Sequence, residues 1–246
     1  MKAVVLIPAR IGSTRFPAKM LAEINGKALI CRTYEAAVNT GLFADVIVVT
    51  DSDEIQQEVE SIGGKVLRSQ KEHESGTDRI AEVAPAVDAD VVINIQGDEP
   101  FIKKEPLQKL LDLFKDEEVV AASLVLETKD VDTINNPNKV KVLLKSDMNA
   151  IYFSRSAVPY KRDETIDHTY YIHIGIYAFR KEALIKFAAW PPSPLEVIEK
   201  LECNRFIDYG MPIKMAITEH TSIAVDMPDD IAKAEDYLEQ QKEKHQ

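Results

Sequence analysis

The residues best suited to chemistry gather in a few short segments. Pro8-Ala9-Arg10-Ile11-Gly12-Ser13-Thr14-Arg15-Phe16-Pro17-Ala18-Lys19 sets three cations, Arg10, Arg15 and Lys19, beside a glycine and two small hydroxyls. Glycine lets the backbone approach a ligand, N–H and hydroxyl groups such as that of Ser13 donate to phosphate oxygens, and the cations offset polyphosphate charge. The spacing is neither a Walker A loop nor Gly-x-Gly-x-x-Gly, which disfavours a Rossmann dehydrogenase and leaves a solvated basic loop as the plain alternative. A second segment, Gln96-Gly97-Asp98-Glu99-Pro100, follows the apolar run 91–95. A carboxylate at the end of a parallel strand suits Mg²⁺, a hard ion held by one or two carboxylates plus substrate phosphates, so Asp98 is the first metal candidate. A turn with a capping acid explains it equally well. Asp226 closes Ile223-Ala224-Val225 and can share that metal only if the two strands lie side by side; otherwise it is a helix-entry acid.

Other segments add polar groups. In Ser75-Gly76-Thr77-Asp78-Arg79 a loop enters a helix and offers N–H groups, hydroxyls and Arg79 to a base or phosphate, although a simple N-cap accounts for all but Arg79. Along 172–177, period two places His173 and Tyr177 on one face and the isoleucines on the other, which leaves room beside Gly175 for a polar ligand or describes a hydrated sheet face. Arg155 can grip a carboxylate bidentately or serve as a surface ion pair. On a helix over 194–206, Glu202 and Arg205 share the stripe of Leu195, Ile198 and Leu201, as a buried pair or as a polar wall for a sugar. Cys203 falls off that stripe and reads as a neighbour of the wall rather than core. The five histidines lack zinc spacing and no Gly-x-Ser-x-Gly elbow is present, so hydrolase readings fade.

These side chains need elements to hold them. Short β-branched runs over 3–8, 45–50, 65–67 and 90–96 alternate with helical patterns over 28–39, 52–62 and 77–87, the signature of βαβ units in a parallel sheet. Ser52 and Thr77 are the N-cap candidates. In such sheets, ligands bind beyond the carboxyl ends of the strands. A helix over 103–114 and a strand over 119–125 follow; strands over 139–144, 150–153 and 171–179 then suggest a mostly antiparallel lobe. A helical block over 194–207, strands near 213–217 and 222–226, and a helix from Asp229 complete the chain. The expected fold class is α/β, a single domain over 1–246 with the lobe at roughly 135–190.

Composition sets the outer limits. At 246 residues, 45% hydrophobic and 29% charged, the chain is ordinary globular material. A net charge of −11 argues against a nucleic-acid partner, so any anionic substrate must meet a local cluster of Arg and Lys. Two cysteines, Cys31 and Cys203, are too few for a disulfide framework, and no apolar run approaches a membrane span; a cytoplasmic protein without membrane insertion is expected.

Taken in order, 8–19, His73-Glu74-Ser75-Gly76-Thr77-Asp78-Arg79, 94–100, Phe153-Ser154-Arg155, His173-Ile174-Gly175-Ile176-Tyr177, Pro192-Ser193-Pro194-Leu195-Glu196 and Val225-Asp226 resemble the 3-deoxy-manno-octulosonate (Kdo) cytidylyltransferase family along almost the whole chain. The resemblance implies a nucleotide-diphospho-sugar transferase (Rossmann-like) fold, a homodimer built partly through the lobe, and transfer of CMP from CTP to an acidic eight-carbon sugar for lipopolysaccharide synthesis. By the same resemblance Arg10, Ser13 and Lys19 would hold the triphosphate, with Arg10, Lys19 and Asp98 as the catalytic set. Ser75 and Arg79 would lie at the cytidine side, and Asp98 and Asp226 would bind Mg²⁺. Gln96, Arg155, His173, Tyr177 and Glu202 would line the sugar pocket. No general base is apparent, and a second Mg²⁺ acidifying the sugar hydroxyl would fill that role.

Departures from the family pattern bear on the substrate. Leu201-Glu202-Cys203-Asn204-Arg205 stands where the family usually reads Leu-Glu-Gln-Leu-Arg, and loss of the amide opens an alternative substrate, the 8-amino analogue of Kdo. Met20, Ala157 and Met227 replace prolines or a threonine and bear on loop stiffness. A cytidylyltransferase for sialic acid or a polyol phosphate, and a silent CTP-binding module, are the competing readings.

Overall fold

The computed structural model describes all residues except 13–15, 74, 164, 221–223 and 244–246. The chain divides into two compact units, one comprising Met1–Ala89, Asn94–Lys104 and Ser222–Gln246, the other Asp90–Ile93 and Glu105–Thr221.

The first unit opens with β1 (Ala3–Ala9), buried at every position. A ribbon of β2 (Glu23–Ile24) and β3 (Lys27–Ala28) follows, turned by Asn25 and Gly26 at positive φ, the geometry of an Asn-Gly hairpin. Next come α1 (Leu29–Asn39), β4 (Asp45–Thr50), α2 (Asp53–Ser61), β5 (Lys65–Arg68) and α3 (Gly76–Val83). β1 pairs in parallel with β4, and β4 with β5. After β6 (Val91–Asn94), the Ile95 N–H donates to Leu6 O at 3.3 Å and so ties the following segment to β1. Val46 to Val49 are buried without alternation, as a strand covered on both faces requires.

Three expectations need correction in this unit. The N-cap of α3 is Ser75, whose hydroxyl accepts from the Asp78 N–H at 3.1 Å; Thr77 lies inside the helix and accepts instead from Asn94 Nδ2 at 2.9 Å. The helix ends at Val83 rather than 87, because Pro85 has no N–H to continue the ladder. The strand expected over 222–226 falls partly outside the described residues, and 224–226 do not form one. Val225 is nonetheless fully buried, and its N–H donates to Asp98 O at 3.0 Å. The C-terminal helix Asp230–Glu243 packs Tyr237 against Phe101, ring centroids 4.6 Å apart.

The second unit runs through α4 (Lys104–Leu113), β7 (Ala121–Thr128), α5 (Val131–Asn135), β8 (Lys141–Leu144), β9 (Ala150–Ser154), β10 (Tyr170–Arg180), α6 (Lys181–Ala188), α7 (Pro194–Glu199), α8 (Cys203–Asp208) and β11 (Lys214–Ile217). β10 runs antiparallel to β7 and β8, β8 antiparallel to β9, and β11 parallel to β7. The pairing of β10 with β7 shifts register between Ile174 and Tyr177.

The single helix expected over 194–206 is in fact two. Lys200 takes a left-handed conformation, φ 54°, and separates α7 from α8. The 100° stripe is therefore broken, and Arg205 pairs with Glu196, at 2.6 and 2.7 Å. Cys203, expected outside the core, is 1% exposed.

Candidate active site

The carboxyl end of β1, the start of α3 and the turn after β6 enclose a cavity of about 230 Å³ in the first unit. Arg10, Gly12, Lys19, Ser75, Arg79, Gln96, Asp98 and Asp226 all line it, so the site residues expected in this unit converge, apart from Ser13, which lies outside the described residues. Strand ends position them because a parallel sheet leaves its loops gathered at that edge.

Lys19 sits in a short 3₁₀ turn, 8% exposed, with its ammonium 2.6 Å from Asp98 Oδ2 and 3.3 Å from Asp226 Oδ1. The bond from Val225 N to Asp98 O is what brings the second carboxylate to the first, across a long stretch of chain. Asp230 Oδ2 accepts from the N–H groups of Asp226 and Met227, at 3.1 and 2.9 Å, and fixes that segment at the mouth of the last helix. Thr33 Oγ1 donates to Gly97 O at 2.8 Å and anchors the turn carrying Asp98. A side chain at Gly97 would meet Met20 Sδ at 2.8 Å.

Two oxygen-donor carboxylates converging on one cation are a donor set suited to Mg²⁺, which keeps its remaining positions for phosphate and water. Among the described residues no group of three or more His, Cys, Asp or Glu side chains is assembled for a metal.

Arg79, which an N-cap could not explain, is 4% exposed and held by Asp51 Oδ2 at 3.0 Å and by the Ser69 hydroxyl. Ser75 donates to Asp78 Oδ2 at 2.8 Å while capping α3. His73 also lines the cavity, braced by Glu82 at 2.6 Å. Sequence reasoning gave His73, Asp51 and Met20 no part in the site. Only the position of His73 beside Ser75 hinted at it. A Cβ on Gly76 would come within 2.9 Å of both Gln96 Oε1 and the Pro8 ring, so the helix start must be glycine for Gln96 to lie where it does.

The second unit carries the other expected residues. His173 and Tyr177 meet, ring centroids 5.2 Å apart, as their shared face requires, and Phe153 stands edge-on to His173 at 5.1 Å. Burial pushes the His173 pKa down to about 4 and leaves the imidazole neutral. Burial also raises Tyr177 well above the usual phenol range, helped by nearby Cys203 and Glu202 and by a hydrogen bond with the Cys203 thiol. Tyr177 is 5% exposed and His173 half-buried, so the face is packed at the tyrosine and partly open at the histidine.

Arg155 spends its guanidinium on backbone carbonyls: Nε on Glu199 O at 2.7 Å, Nη1 on Pro137 O at 3.0 Å and Nη2 on Lys200 O at 3.4 Å. Among the described residues it forms no side-chain ion pair within 4 Å. Glu202 is half-buried immediately before α8. Both cysteines are free and buried, and burial beside Glu58 and Glu35 pushes the Cys31 thiol up to about 12, so neither is a nucleophile.

A parallel α/β unit whose strand ends set a buried lysine against two carboxylates, in a chain that also carries a mostly antiparallel unit, is the architecture of a nucleotidyltransferase. The cytidylyltransferase family model matches residues 4–215. A 3-deoxy-manno-octulosonate cytidylyltransferase of Christiangramia forsetii is 52% identical over 240 residues, 96% of this chain and 97% of that one. Its counterpart from Flavobacterium johnsoniae is 51% identical over 237 residues, 95% and 97% of the two chains. A solved structure of CMP:2-keto-3-deoxy-manno-octonic acid synthetase complexed with CTP superposes with a TM-score of 0.92 at 37% identity, covering 98% of this chain and all of the other. The chain belongs to the 3-deoxy-manno-octulosonate cytidylyltransferase family.

Proposed function

We propose that this protein transfers CMP from CTP to 3-deoxy-manno-octulosonate, releasing pyrophosphate, as an activating step for lipopolysaccharide synthesis. The observation that carries the reading is the Lys19 ammonium bridging Asp98 and Asp226 inside a strand-end cavity, in a chain half identical to relatives named for this reaction. Arg10 and Lys19 neutralise the triphosphate, and Ser75 and Arg79 stand at the cytidine. Gln96, Arg155, His173, Tyr177 and Glu202 contact the sugar. Its anomeric hydroxyl attacks the α-phosphorus in line, and charge on the departing pyrophosphate is met by Lys19 and Arg10. Bound to Asp98 and Asp226, Mg²⁺ supplies electrostatic stabilisation of the phosphates. Phosphoryl transfer asks mainly for positioning and charge, which is what these residues offer.

The protein acts as a cytoplasmic homodimer in this reading. Apolar side chains exposed on the second unit, among them Ile151 and Ile198, 45% and 79% exposed, support the dimer. No helix among the described residues is long and apolar enough to cross a membrane.

The test is pyrophosphate release from CTP and Mg²⁺ with Kdo and its 8-amino analogue run in parallel, and Asp98→Asn as control. Turnover of Kdo that vanishes in Asp98→Asn establishes the reading. Preference for the amino sugar would make the Glu202-Cys203-Asn204 segment a specificity determinant, and CTP binding without release would leave a silent nucleotide-binding module.

A further inference from the structure

The register shift in β10 gives Ser123 an unusual set of neighbours. Ser123 is fully buried on β7, and its hydroxyl oxygen lies 2.8 Å from Ile176 O, 3.2 Å from Ile174 O and 2.9 Å from His173 Nε2. Bulges commonly re-aim a side chain beside an active site, and here one serine fills the gap that the bulge opens. A serine has one proton to give and two lone pairs to receive. Carbonyl oxygens can only accept, so the Ser123 proton goes to the bulged strand, to Ile176 O at the shorter distance. Were it turned to His173 instead, the serine oxygen would face two carbonyl lone pairs with nothing between. The remaining contact therefore has His173 Nε2–H donating to Ser123 Oγ.

We propose that Ser123 is a positioning residue that locks His173 as the Nε2–H tautomer, so that its bare Nδ1 accepts a hydrogen bond from a sugar hydroxyl. This deepens the proposed function and rests on His173 facing the sugar. Among the described residues Nδ1 has no hydrogen-bond partner, and it is not among the buried polar atoms left unsatisfied, so it opens towards solvent. The ring packs on Ser123 from β7, Phe153 from β9 and Tyr177 on its own strand, none of them charged. The imidazole stays neutral with its pKa near 4, so the acceptor persists at any pH at which the enzyme would work. A neutral acceptor suits a hydroxyl-rich, negatively charged sugar, where a fixed cation would pull indiscriminately on the carboxylate.

The experiment is long-range ¹H–¹⁵N correlation on full-length protein labelled at its five histidines, with the His173 signals assigned by their loss in His173→Gln. The expected wild-type spectrum shows a protonated Nε2 and a bare Nδ1, unchanged between pH 8 and pH 6 as order-of-magnitude bounds around the ordinary imidazole range. A protonated Nδ1, or averaging between tautomers, overturns the proposal without the need for any variant. In Ser123→Ala we expect tautomer averaging and a KM for Kdo raised about tenfold, the worth of one neutral hydrogen bond, with KM for CTP unchanged. Ser123→Thr, which keeps the hydroxyl, restores both. A pure Nε2–H state persisting in Ser123→Ala overturns the role of Ser123. If the tautomer behaves as expected while His173→Phe, which keeps a ring but has no acceptor, leaves the Kdo KM unchanged, the acceptor role is overturned. Failure of the proposed reaction itself shows separately, as absence of pyrophosphate release from the wild type.

Discussion

Arg205 is 2% exposed, stacks over the Phe187 ring at 4.3 Å and is neutralised by Glu196, which also completes the capping box of α7 by accepting from Ser193 N at 3.0 Å. Removing one partner of such a buried pair strands the other charge in a poorly solvated place. Glu196→Gln should therefore cost about 3 kcal/mol in urea denaturation, and adding Arg205→Met in the same chain should recover part of the loss. His173 offers a second residue-level outcome. Its folded pKa of about 4 lies below the usual imidazole value, so the unfolded chain binds the proton more readily. Its contribution is then fully present above the unfolded value, near 6.5, and is lost as pH falls towards 4, by up to a few kcal/mol at the order-of-magnitude level. Denaturation at pH 7 and pH 5 should show the decline in wild type and a flatter response in His173→Gln.

At the scale of elements, α3 begins against β1 with nothing to spare. A methyl at Gly76 meets Pro8 Cγ at 2.9 Å, and although the Gln96 amide can swing away, the proline ring cannot. Gly76→Ala should cost on the order of 1–3 kcal/mol and raise the KM for CTP, read by denaturation and initial rates. The turn that carries Lys19 sets up a different balance. Its ammonium lies against Asp98 and Asp226, and Lys19→Met would leave two carboxylates facing each other. That variant should lose about 10²–10³ in kcat. Its thermal midpoint should also climb more steeply with Mg²⁺, in the absence of nucleotide, than that of the wild type, because an ion that binds only the folded state stabilises it.

At the scale of the whole molecule, a net charge of −11 surrounds a cavity lined, among the described residues, by Arg10, Lys19 and Arg79. Each is set against a larger anionic field, so CTP must be drawn by local geometry rather than by overall charge. The proposed homodimer has a direct check: light scattering should report a dimer, and Ile198→Glu or Ile151→Glu, at exposed apolar positions of the second unit, should shift it towards monomer.

Local chemistry was legible without any coordinates. Uninterrupted β-branched runs announced β1, β4 and β6, because only strands covered on both faces tolerate them. The meeting of the loop after β1 with the turn at Asp98 at one cavity was readable too, because parallel strands deliver their ends to one side. Relations between distant segments were decided only by the tertiary structure. Asp226 reaches Asp98 through one backbone bond from Val225, with no strand pattern to foretell it. Arg205 pairs with Glu196 on the preceding helix, since a left-handed Lys200 breaks the helix on which the sequence periodicity depended. Ser123 finds His173 through a bulge that period two cannot express. Periodicity and residue type determine what each segment can be; which side chains meet depends on register, breaks and crossings, where hydrogen bonds are completed between residues far apart in the chain.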